Sequence, residues 1–134
     1  MGLDNGITLK IESGKLPDDF PGTLDDFNIV WLKDHKELEV CYWRKCWGIR
    51  SVIMKVLHMN EDNSEHKIDA EDVPAIRREL IQFMHPDYWE EEADSIWTYD
   101  EFVETLIQQL LNLKWLEKYL KDHPDAECVF YDSY

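Results

Sequence analysis

Five carboxylates crowd one short segment: Asp87, Glu90, Glu91, Glu92 and Asp94, with Trp89 among them and Trp97 just beyond. Acids interleaved with large aromatics can imitate the charge and bulk of nucleic acid, or dock a basic protein surface. The same residues also suit a plainer arrangement, a solvated helix face with both indoles turned inward. A second cluster, Tyr42-Trp43-Arg44-Lys45-Cys46-Trp47-Gly48-Ile49-Arg50, is the densest basic stretch of the chain. Rings and guanidinium groups at the start of a helix can sandwich a nucleotide base and hold its phosphate on free backbone N–H groups. The candidate ligand-binding residues are therefore Tyr42, Trp43, Arg44, Lys45, Trp47 and Arg50. In the alternative, the three cations neutralise nearby acids and the rings fill core.

Chemistry of other kinds is poorly represented. The five glycines, at 2, 6, 14, 22 and 48, form neither a dinucleotide fingerprint nor a phosphate loop. There is no His-Glu-x-x-His and no Gly-x-Ser-x-Gly. Cys41 and Cys46 make a lone C-x4-C with no second pair, so no zinc is expected. His85-Pro86-Asp87 and His123-Pro124-Asp125 repeat a tripeptide, but a helix stop accounts for each. The acid-rich stretch from Glu61 to Asp72 lacks the spacing and central glycine of a calcium loop. No cofactor, metal or catalytic constellation is expected, and a binding protein is favoured over an enzyme.

The elements that must position these clusters are legible from periodicity. Gly6–Ser13 alternates Ile7, Leu9 and Ile11 against Thr8, Lys10 and Glu12, which predicts a half-buried strand. Gly14 to Asp26 reads as a loop, and Asn28–Leu32 as a short strand. Glu37–Arg44 predicts a second strand, with Leu38, Val40 and Tyr42 on one face and Glu39, Cys41 and Trp43 on the other. From Cys46 to Met59 the spacing turns helical, through Ile49, Val52, Ile53, Val56 and Leu57. Asn60–Lys67 reads as a polar loop. A second helix is expected to be capped by Asp69 or Asp72, to bury Ile76, Leu80, Ile81 and Met84, and to stop at Pro86.

The third helix has the clearest start. Thr98 and Glu101 predict a capping box, and Trp97 with Phe102 a hydrophobic staple. Val103, Leu106, Ile107, Leu110, Leu113, Leu116 and Leu120 are expected to form its inner face. Acids lead the helix and Lys114, Lys118 and Lys121 end it, as the helix dipole prefers. Ala126–Tyr131 alternates again and predicts a closing strand. Strands, then helices, then one strand give an α+β domain: a small antiparallel or mixed sheet against about three helices.

At 134 residues the chain fits one domain, and 44% apolar residues supply a core. Three cysteines, an odd number, predict reduced thiols and a cytosolic setting. Asp4, Lys10 and Glu12 interrupt any apolar run near the start, so no export signal is expected, and no stretch reaches the length of a membrane span. The net charge of −15 is lopsided. Residues 1–60 hold nine acids and eight bases, whereas residues 61–134 hold twenty acids and six bases. Such a field repels nucleic acid and anionic membranes and attracts basic partners, besides keeping the protein soluble.

The opening Met1-Gly2-Leu3-Asp4, the Tyr42-Trp43-Arg44-Lys45 ahead of a helix and the aromatic end Phe130-Tyr131-Asp132-Ser133-Tyr134 resemble a group of uncharacterised phage and prophage proteins. Those open M-G-L-D-M-Y-L, carry Y-W-R-K before an amphipathic helix and finish on an aromatic strand ending Ser-Trp. Here Asn5-Gly6-Ile7 replaces Met-Tyr-Leu, Cys46-Trp47-Gly48 replaces a small-polar segment, and Tyr134 replaces Trp. The resemblance implies an accessory protein acting inside a bacterial host cell. The expected partner is a basic surface of a host or defence protein, met by Asp87, Trp89, Glu90, Glu91, Glu92 and Asp94. The alternative is a nucleotide or other anion at residues 42–50.

Overall fold

A computed structural model describes residues 3–11, 17–21, 37–87 and 98–133. Four strands, β1 (Asp4–Lys10), β2 (Glu37–Arg44), β3 (Glu65–Lys67) and β4 (Cys128–Ser133), form one antiparallel sheet in the order β2-β1-β4-β3. Among the described residues, helices α1 (Trp47–Val56), α2 (Asp72–Ile81) and α3 (Tyr99–Asp122) join the sheet in an α+β fold. No described helix is long and apolar enough to cross a membrane. Strand β4 inserts between β1 and β3, so the first and last described strands pair at the centre of the sheet. Between the second and third strands in sequence lies α1, and the short β3 occupies the end of the expected polar loop. Three exposed polar residues, Glu65-His66-Lys67, carry no apolar period, so β3 owes its conformation to pairing with β4.

The expected alternation of β1 holds: Ile7, Leu9 and Ile11 are buried on the helix side. In β2 it breaks. Ile7 pairs with Cys41 but Thr8 pairs with Glu39, a bulge that inserts one extra residue. Leu38 and Val40 before it and Cys41 and Trp43 after it all join the core, and Glu39 and Tyr42 share the opposite face. The sequence-derived face assignment for Tyr42, Cys41 and Trp43 is therefore reversed, because period two cannot continue through a bulge.

In α1, Ile49 and Ile53 are buried, followed by Leu57. The helix ends in a Schellman arrangement on His58 (φ 57°), with Met59 N–H on the Met54 carbonyl and His58 N–H on that of Lys55. In α2 the N-cap is Glu71 and no side chain caps it; Asp72 instead accepts from the Asp69 N–H at 2.9 Å. Its buried face is Val73, Ile76 and Leu80, with Phe83 in the following 3-10 turn, whereas Ile81 stands half exposed. The helix has already ended before Pro86, whose predecessor His85 takes the extended conformation that a following proline imposes.

The capping box of α3 forms as expected: Glu101 N–H donates to Thr98 Oγ1 and Thr98 N–H to Glu101 Oε2, each at 3.2 Å. Trp97 of the expected staple lies outside the described residues, and Phe102 is buried. Leu106, Leu110, Leu113, Leu116 and Leu120 are buried as expected. Ile107 is not; its place in the buried arc goes to Gln109, Asn112 and Trp115. The reason is the edge of the sheet. Gln109 Nε2 donates to the Tyr42 carbonyl at 3.1 Å, and Asn112 Nδ2 to the Val40 carbonyl at 3.0 Å. These amides satisfy backbone groups of the edge strand that another chain could otherwise pair with.

Candidate functional site

Two polar constellations stand out, one on each face of the sheet. On the helix side, Asn5 and Asp132 are opposed in the β1–β4 register and both are buried. Asn5 Nδ2 donates to Asp132 Oδ1 at 2.6 Å. Arg50 reaches from α1 and grips the same carboxylate in a fork, Nε to Oδ1 at 2.7 Å and Nη2 to Oδ2 at 2.9 Å. Asn63 N–H adds a fourth bond at 2.9 Å, and Arg50 Nη2 also meets Asp62 at 2.6 Å. The Arg50 bonds, followed by the Asn63 and Asn5 donors, outweigh burial and hold Asp132 below the usual carboxylate range. The same pairing raises Arg50. This cluster ties α1 and the loop before β3 to the central strand pair.

The face turned away from the helices carries the second constellation. Gly6 lies between Tyr42 on β2 and Tyr131 on β4 in register. A Cβ at Gly6 would stand 2.6 Å from Tyr131 Cε1 and 2.7 Å from Glu39 Oε1, so the missing side chain is what lets the Tyr131 ring and the Glu39 carboxyl close over β1. Tyr131 donates its hydroxyl to Glu39 Oε1 at 2.7 Å, and Tyr42 donates to Asp4. Above this row opens a cleft of about 500 Å³. Further acids line it: Glu37 beside Glu39, Glu65 from β3, and Glu127 ahead of β4. Among the described residues Lys10 is the one cation in the lining, and its ammonium lies 3.6 Å from Glu127.

Glu39 is only 4% exposed. Burial, the largest influence, lifts its carboxyl to about 7; the Tyr131 bond opposes the rise, and the charges of Glu37 and Asp4 add to it. Tyr42 is pushed up to about 12 by burial and by its bond to Asp4. Tyr131 is raised further by burial and by Glu39. The site therefore holds two phenols that stay protonated and donate, one carboxyl poised between its two states at neutral pH, and several solvated carboxylates. Its chemistry suits an organic cation: negative groups for the head and ring faces for the stem. Among the described residues no group of three His, Cys, Asp or Glu is placed to hold a metal ion.

The residues singled out from sequence scatter. Of the acidic run, Asp87 is exposed, and Trp89, Glu90, Glu91, Glu92 and Asp94 lie outside the described residues. The six aromatic and basic candidates fall into three environments. Tyr42 belongs to the open-face cleft. Trp43 is buried, its indole N–H bonded to Gln109 Oε1 at 2.8 Å. Arg44 and Lys45 are exposed, Lys45 in a left-handed turn (φ 58°) whose N–H meets the Leu3 carbonyl. Trp47 is 45% exposed, with the Arg50 guanidinium 5.5 Å from its ring centre. Trp47 and Arg50 are brought together, and Arg50 already carries two carboxylates, so an anion there competes with Asp62 and Asp132.

Sequence reasoning missed Glu39, Gly6 and Tyr131. The bulge hid the first by placing Tyr42 on the wrong face. The available signal was compositional: Asp4, Thr8, Lys10, Glu37 and Glu39 leave an open face rich in acids whichever way Tyr42 points. No family model, curated protein or solved structure matches this chain.

Proposed function

We propose that this chain is a non-enzymatic binding module, an accessory protein of a phage or prophage, that docks a basic surface of a host or defence protein. The observation that carries the reading is the open face of the sheet. Among the described residues it gathers Asp4, Glu37, Glu39, Glu65 and Glu127 around two tyrosines, against a single lysine already beside a carboxylate. A sheet face with an aromatic centre and an acidic rim has the build of a docking patch for cations. The lopsided charge of the chain supports the same sign of partner, and the resemblance to phage and prophage proteins supports the setting. The run Asp87, Trp89, Glu90, Glu91, Glu92 and Asp94 is proposed as a further acidic contact of the same kind.

The test is charge reversal on each patch. A partner recovered from bacterial lysate is bound by the parent, by the Glu37→Lys/Glu65→Lys/Glu127→Lys variant, and by the Glu90→Lys/Glu91→Lys/Glu92→Lys variant. The sheet-face variant should associate at least about tenfold more slowly at low salt, with the gap closing as salt rises, because attraction beyond about 8 Å is screened at physiological ionic strength. Equal rates for parent and sheet-face variant remove the sheet face from the reading.

A further inference from the structure

The notch over Gly6 has features that a merely acidic surface lacks. Glu39 is more than nine-tenths buried, yet it lines an open cleft, and among the described residues its side-chain donor is the Tyr131 hydroxyl, on Oε1. Asp4 sits on the other side of the Tyr42–Gly6–Tyr131 row, two residues back along β1 from Gly6 and four from Thr8, the register partner of Glu39. Two carboxyl groups thus flank two phenol rings that are themselves fixed by donating to those carboxyls. This is a preorganised cradle for one positive head group with an apolar stem.

We propose that this notch receives a single arginine or lysine side chain from the partner, its cationic head between Glu39 and Asp4 and its stem along Tyr42 and Tyr131. The proposal rests on the docking function above and specifies its central contact. A solvated multivalent metal fits less well, because the hydroxyls of Tyr42 and Tyr131 are committed as donors and, among the described residues, no third carboxylate stands with Glu39 and Asp4 in a ligating group. Seating a cation also has a protonic consequence. Near pH 7 a part of the population holds Glu39 as the neutral acid, for burial and the neighbouring Glu37 and Asp4 charges disfavour the carboxylate. Among the described residues the other titratable groups facing the cleft are Tyr42, Tyr131, Lys10, Glu65 and Glu127, and of these only Lys10 is positive. A seated ammonium or guanidinium stabilises the carboxylate, so the protonated fraction gives its proton to the buffer: Glu39–COOH plus the cation becomes the ion pair plus one released proton.

The experiment is calorimetric titration at pH 7 and low salt with a hexa-arginine peptide, a hexa-lysine peptide and spermidine, each in two buffers of different ionisation enthalpy. The parent should release a fraction of a proton per peptide bound, read from the difference in heat between buffers. Glu39→Gln, which mimics the neutral acid and keeps its shape, should release none and bind about tenfold more weakly, which is about 1.4 kcal/mol. Asp4→Asn, a second variant, should weaken binding while keeping a reduced proton release, because the Asp4 charge is the smallest of the influences that raise Glu39. Peptide binding without proton release, unchanged in Glu39→Gln but weakened in the Glu37→Lys/Glu65→Lys/Glu127→Lys variant, overturns the notch and leaves the docking face standing. Absence of peptide binding by the parent overturns both. Spermidine binding as tightly as the peptides, with the same proton release, overturns the protein side chain as the source of the cation.

Discussion

The Tyr131 hydroxyl reaches across β1 to donate to Glu39 Oε1, joining β4 to β2 over the bare backbone of Gly6. Neither residue neighbours the other in the sheet, so this bond depends on a glycine at the strand between them. It also depends on the bulge, which sends Glu39 and Tyr42 to the same face.

Glu39 should give the protein an inverted pH response. Its folded pKa of about 7 exceeds the ordinary 4.5. Both states hold the proton below the ordinary value, so the fold is unburdened there. As pH rises through that window the unfolded chain ionises freely while the folded chain resists, and stability is lost. The loss is on the order of 2 kcal/mol after allowance for partial solvent contact. Urea midpoints at pH 5 and pH 8 measure it. In Glu39→Gln the slope should flatten, and equal slopes in parent and variant would show that Glu39 does not cause it.

Asp132 acts in the opposite sense. Its pKa is depressed by Arg50, so the stabilisation is present above the ordinary carboxylate value and is lost as pH falls through the folded one. Replacing it leaves Arg50 without its buried partner, and Asp132→Ala should cost about 3–5 kcal/mol by chemical denaturation. A cost below about 1 kcal/mol, the range of exposed pairs, would mean that the fork is not held in solution.

Gly6→Ala tests the notch without touching a charge. The new methyl group meets Tyr131 and Glu39 at distances that force one of them away. A cost of roughly 1–3 kcal/mol is expected for such overpacking. The specific sign is a fall of the Glu39 pKa toward its ordinary value as the carboxyl moves into water, followed by carbon NMR of the side-chain carboxyl. An unmoved titration would show that the closure over β1 is not as described.

Much of this was readable in the sequence where local rules act alone. The Thr98–Glu101 box, the alternation of Ile7, Leu9 and Ile11, and the spacing of Leu106, Leu110, Leu113 and Leu116 each follow from one element's own period. What escaped were features set by a neighbour. The bulge in β2 has no glycine or proline to announce it. Ile107 lost its place in the core because α3 turns Gln109 and Asn112 toward the carbonyls of an edge strand. Arg50 read as a candidate anion ligand, since nothing local reveals a carboxylate 82 residues away. The cleft itself is assembled from all four strands and their approaches, and no single stretch displays it.

The cap of α3 offers a local control. Thr98→Ala removes the hydroxyl that accepts from Glu101 N–H and should cost about 1 kcal/mol. Thermal or urea unfolding reads the change, while peptide binding at the distant sheet face should stay at the parent value. An unchanged midpoint would mean that solvent replaces the cap without loss.

The most direct test of the account is an amide NMR titration of the protein with a hexa-arginine peptide, at low salt and again at physiological salt. The account predicts that shifts concentrate on Asp4, Gly6, Thr8, Glu39, Tyr42 and Tyr131, across three strands of one face, and shrink as salt screens the outer carboxylates. Shifts confined to Trp47 and its surroundings on α1, or no shifts at low salt, would contradict it.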